Sequence, residues 1–89
     1  MLIEAALIRE QGVTFTVVVV KRHLIDDRFR AAELADEFSA YFSYIPVVLM
    51  GQDYNGRPTY YGRPDLARFL ASVPFQTLPW KRYTITRAS

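Results

Sequence analysis

The sequence predicts a mixed α+β domain with elements in the order ββαββα and a C-terminal strand or tail. Three observations carry this reading. Residues 13–21, VTFTVVVVK, are dense in β-branched side chains and turn continuously apolar, which marks a strand buried on both faces. Residues 26–42, DDRFRAAELADEFSAYF, repeat apolar side chains at helical spacing. Residues 45–70, IPVVLMGQDYNGRPTYYGRPDLARFL, read as strand, turn, strand, turn and helix, with Pro46 in front and a Gly-Arg-Pro on each side of the second strand.

The elements follow in order. Residues 2–9, LIEAALIR, have strand patterning, and Gly12 supplies the positive φ of a tight turn into the next strand. Together they predict a hairpin whose second strand is central. In the following helix, Ala31, Leu34, Ala35, Phe38, Tyr41 and Phe42 form one apolar stripe, opposite Arg30, Glu33 and Glu37. Asp26 or Asp27 suits its N-terminal cap. IPVVLM is a short buried strand with Pro46 near its start, where a strand tolerates proline best. Asn55-Gly56 signals a hairpin because both residues accept positive φ. TYYG is the return strand. Pro64 and Asp65 suit a helix start, Leu66, Phe69, Leu70 and Val73 give its apolar stripe, and Pro74 ends it. A strand-helix-strand connection is parallel. The simplest sheet is therefore four-stranded and mixed, in order 1-2-3-4, with both helices on one face.

Eighty-nine residues make one domain, and the absence of cysteine excludes disulfides, thiolate metal sites and thiol catalysis. MLIEAALIRE has no basic leader region and carries Glu4 early, so it does not read as a signal peptide. No apolar run approaches the ~20 residues of a membrane helix. The expected setting is the cytoplasm, without membrane association. The net charge of +2 is uneven, being −2 over residues 1–50 and +4 over residues 51–89. A basic C-terminal part can attract anions, although so small a bias is also what an ordinary solvated surface carries.

Candidate chemistry is sparse. His23 is the single histidine, and Asp26 and Asp27 follow it beyond the carboxyl end of a parallel strand, where α/β sheets bind ligands. His23 with Asp26 is the candidate catalytic pair, since a histidine beside carboxylates can serve as a general base or as half a metal site. The plainer reading is a surface histidine beside helix-capping aspartates. Asp53-Tyr54-Asn55-Gly56 has the opening of a calcium loop, but Arg57 and Pro58 follow where acidic ligands are needed, so the hairpin reading is preferred. Arg57 and Arg63 flank a short strand, and a helix N-terminus with a nearby Arg can hold phosphate or carboxylate. Pro64, however, removes one donor, which favours a structural turn. Trp80 and Arg82, with Lys81 and neighbouring tyrosines, can stack bases and hold phosphates. Neither a metal nor another cofactor is expected.

Residues 44–73, from YIPVVLM to GRPDLARFLASV, look like the C-terminal half of a thioredoxin-like domain. That resemblance implies a cis proline before the strand. It also implies a Cys-x-x-Cys near RHLIDD, and without cysteine no redox activity carries over. The whole chain, through EQGVTFTVVVVK, IPVVLMGQD, GRPTYYGRPDLARFLASVP and PWKRY, resembles a small uncharacterised proteobacterial domain-of-unknown-function family. That family implies a compact α+β domain and brings no assigned activity.

If both helices share one face, the Val17–Val20 run leaves an apolar patch on the other. The tail, residues 75–85, or a second copy of the chain would have to cover it, and two-fold dimers are the commonest oligomers. The leading expectation is a small non-catalytic binding or interaction domain, with a homodimer formed through the sheet face away from the helices. The alternatives are anion or single-stranded nucleic-acid binding through Arg57, Arg63, Trp80 and Arg82, and an enzyme using His23 with Asp26.

Overall fold

A computed structural model describes residues 1–86. It shows a mixed α+β domain: β1 (Leu2–Glu10), β2 (Val13–Val19), α1 (His23–Asp26), α2 (Arg28–Tyr41), β3 (Val47–Gln52), β4 (Pro58–Tyr61), α3 (Pro64–Ala71), a 3-10 turn at Phe75–Thr77, and β5 (Trp80–Thr84). The sheet has five strands in the order β4-β3-β2-β1-β5, not the four in order 1-2-3-4 that the sequence predicts. The addition is the tail. It pairs antiparallel with β1, from Leu2 opposite Thr84 to Ala6 opposite Trp80, so that β1 becomes an interior strand. β2 and β3 are the parallel pair, with Thr16 opposite Val47 and Val19 opposite Met50.

The expectation that both helices share one face is also corrected. Neighbouring residues of a strand point to opposite faces, and Val17 and Val18 are both fully buried. Val18 packs with Ile3, Leu49, Ile25, Ala31, Phe38 and Phe42, under α1 and α2. Val17 packs with Phe15, Val48, Met50, Leu66 and Leu70, under α3, where Phe75, Leu78 and Trp80 add cover. Two central strands apolar on both sides require a lid on each face. α3 supplies the second lid because the chain leaves the edge strand β4 and is free to cross to the unoccupied side. Neither face is therefore free of helices, and the surface named for a homodimer is not present.

Local chemistry explains the element ends. Asp27, not Asp26, caps α2, and its carboxylate accepts from the N–H groups of Phe29 (3.1 Å) and Arg30 (3.2 Å). The predicted stripe holds at Ala31, Phe38 and Phe42, while Tyr41 is 43% exposed and its hydroxyl donates to the Thr84 carbonyl. At the β3–β4 turn only Gly56 takes positive φ, not the Asn55-Gly56 pair. The Gly56 N–H donates to the Asp53 carbonyl, and the Asp53 carboxylate accepts from the N–H groups of Asn55 and Arg57. This is a type I turn closed by a left-handed glycine, so the aspartate rather than the asparagine sets the turn. Among the described residues no peptide bond is cis, Ile45-Pro46 included.

Candidate functional site

The structure separates the residues that the sequence nominates. His23 opens α1 and is exposed. Asp26 pairs with Arg22 at 3.2 Å rather than with His23, and Asp27 is engaged in its cap. Among the described residues, no group of three His, Asp or Glu side chains gathers as metal ligands would.

The basic and aromatic candidates lie on opposite edges of the sheet. Arg57 and Arg63 bracket β4, whereas Trp80 and Arg82 belong to β5. Four inter-strand steps of about 4.8 Å put some 19 Å between these edges. Trp80 is half-buried, donates its indole N–H to the Phe75 carbonyl at 2.8 Å, and helps cover the α3 face. Arg82 is exposed opposite Glu4. Arg63 forms a bidentate pair with Asp65, with Nε at 3.1 Å and the second nitrogen at 2.8 Å. The guanidinium hydrogen bond holds the Asp65 carboxyl below its ordinary value. With its charge satisfied inside α3's first turn, Arg63 is not set out to receive an anion.

The structure instead brings together β4 and the α1–α2 junction. An open cleft of about 440 Å³ runs along this edge, with Thr59–Gly62 on one side and Ile25, Asp26 and Arg28 on the other. Its backbone chemistry follows from the register. Asp53 N–H donates to the Arg57 carbonyl, and Gly51 lies opposite Thr59 and Leu49 opposite Tyr61. Antiparallel pairs alternate between hydrogen-bonded and non-hydrogen-bonded. Arg57, Thr59 and Tyr61 thus turn their main-chain groups toward β3. Tyr60 turns its N–H and C=O outward, joined by the Pro58 carbonyl and the Gly62 N–H. The β2 side agrees with this alternation, because the Met50 carbonyl accepts from Val20 N–H and so faces away from β4.

The Tyr60 side chain points the other way. It packs toward the α3 face, where its hydroxyl is buried without a hydrogen-bond partner among the described residues, and burial raises its pKa. Tyr61 packs toward the α2 face. Arg28 has no ion-pair partner among the described residues, and the same holds for Arg57, while Asp26 is neutralised by Arg22. Sequence reasoning missed Arg28 and Ile25 because both look like ordinary helix positions. The available signal was the Pro at the start of a four-residue strand, which marks an edge.

A second cleft, about 470 Å³, lies between the β1–β2 turn and α3. Its Asp65 carboxylate is already engaged by Arg63. Comparison with protein-family models, with curated proteins and with solved structures finds no match for this chain.

Proposed function

We propose that this chain is a small non-catalytic interaction domain that binds an extended protein segment at the β4 edge. The observation that supports this is the outward-facing pair of main-chain groups on Tyr60, lying along a cleft that α1 and α2 wall on the far side. Exposed sheet edges bind extended peptides by adding a strand, with main-chain bonds supplying affinity and flanking side chains supplying selectivity. The residues with acid–base chemistry are dispersed or engaged elsewhere, so binding is the use this geometry suits best.

The test is an amide NMR titration of the intact chain with short unstructured peptides of acidic, neutral and basic composition. Perturbations centred on Thr59–Gly62 and Ile25–Arg28 are expected. Failure of every peptide to bind, or perturbations confined to β5, would refute the reading. A second reading, anion or single-stranded nucleic-acid binding, draws on Lys81 and Arg82, which are exposed on the opposite edge and have no ion-pair partner among the described residues. Titration with a single-stranded oligonucleotide would then perturb β5, and the affinity would fall steeply with added salt.

A further inference from the structure

Resting on that reading of the β4 edge, we propose that its partner is an acidic extended segment, added as a sixth strand beside β4 with carboxylates held by Arg28 and Arg57. The hydrogen-bonding capacity of the edge sets the length. The Pro58 carbonyl, both main-chain groups of Tyr60 and the Gly62 N–H face outward, following the register of β3 with β4. These groups repeat every second residue, about 6.7 Å apart. Pro58 has no N–H, so pairing stops there. Four bonds are on offer, enough for a strand of roughly four or five residues.

Charge sets the composition. Arginines stand at both ends of β4, at positions 57 and 63, and Arg28 stands across the cleft. Asp65 satisfies Arg63, and Arg22 satisfies Asp26. Arg28 and Arg57 are the two arginines here without an ion-pair partner among the described residues, while the neighbouring Asp27 and Asp53 carboxylates are taken up by main-chain N–H groups. Side chains of an added strand alternate between faces. Those on the α2 side meet Arg28, which suits acidic residues, and those on the other side run beside the Tyr60 side chain, which suits apolar ones, so the two types alternate along the segment.

The same charges disfavour a second copy of the chain. Pairing β4 with its twin would bring Arg28 and Arg57 of one protomer toward those of the other. Pairing β4 with β5 of another copy would set Lys81 and Arg82 against the same arginines. Like charge along an edge is a known guard against edge-to-edge association.

The test uses an acetylated, amidated six-residue peptide alternating valine and glutamate, with its glutamine and lysine counterparts. A version N-methylated at every residue has no residue N–H left to donate to the sheet edge, whichever way it docks. The glutamate peptide should bind about three- to tenfold tighter than the glutamine peptide at low salt, the range expected for two exposed ion pairs. Arg28→Gln with Arg57→Gln should erase that preference while leaving the melting temperature unchanged. N-methylation should abolish binding, and the amides of Tyr60 and Gly62 should move on titration. Equal binding of the glutamine peptide, or preference for lysine, would overturn the acidic assignment and leave the edge reading standing. Binding that survives N-methylation would overturn strand addition. Concentration-dependent shifts at Tyr60 without peptide would make a second copy the occupant and overturn the proposal. Failure of every peptide would sink the edge reading with it.

Discussion

Replacing Gly51 with alanine tests how closely α1 is seated on the sheet. Gly51 is buried in β3, and a β-carbon there would lie 2.8 Å from Cδ1 of Ile25 and 3.0 Å from Cα of Arg22. The first neighbour is the tip of a side chain and can turn aside. The second is backbone and moves only with α1. Overpacking of this kind costs about 1–3 kcal/mol. Removing glycine from a strand returns about 0.5–1 kcal/mol. The net is a loss of about 0–2.5 kcal/mol, or a fall of up to about 20 °C in melting temperature for a chain of this length. Ile25→Val removes Cδ1 and by itself costs about 0.5–1.5 kcal/mol. In the double variant that clash is gone. It should therefore be more stable than the two single losses combined would give, by about 0.5 kcal/mol or more. Urea and thermal unfolding of all four proteins, followed by circular dichroism, gives the cycle. An additive cycle would refute the seating of α1 on Gly51.

Phe38 is 4% exposed, whereas Phe69 is half-buried and meets Phe15 edge-on at 6.5 Å. Phe38→Ala should cost about 3–5 kcal/mol and Phe69→Ala at least about 1 kcal/mol less, and equal losses in chemical denaturation would contradict the packing described. Thr16 is wholly buried and its hydroxyl has no hydrogen-bond partner among the described residues. Thr16→Val should raise stability by about 1 kcal/mol, whereas a clear loss would show that the hydroxyl is bonded. The lowered Asp65 pKa has Arg63 as its main cause, so the pair stabilises the fold above the ordinary carboxylate value of about 4 and the contribution is lost as pH falls through the lowered value. Melting curves of wild type and Arg63→Ala should therefore converge on acidification, and a widening gap would refute the pairing.

Much of the fold was legible because periodicity reports burial. The valines from Val17 to Val20 announced a strand apolar on both faces, and the spacing of Ala31, Phe38 and Phe42 announced a helix with one buried side. The tail was harder. Residues 80–84 carry Lys81, Arg82 and Thr84 among two aromatics, and such a mixture fits an edge strand or an ordered coil equally well. Only β1, by offering its free edge, made it a strand. The same holds for the candidate site. His23 and Asp26 are close in sequence, yet Arg22 sits one turn before Asp26 on the same helical face and takes it first. Arg57 and Trp80 look like one basic and aromatic region, yet sheet order sends them to opposite edges.

The α+β class, the parallel pairing of β2 with β3, the turn at Asp53–Gly56 and the start of α3 at Pro64 were all legible in the amino-acid sequence. The turn and the helix start depend on residues near one another in the chain, where side-chain shape and backbone chemistry act directly, and the parallel pairing follows from the strand-helix-strand connection. Tertiary structure alone decided which face α3 covers, where the tail pairs, and that the β4 edge lies open beside Arg28. Those outcomes depend on which buried surfaces still lack a cover once the first helix is in place. That is a property of the assembled sheet and not of any local stretch.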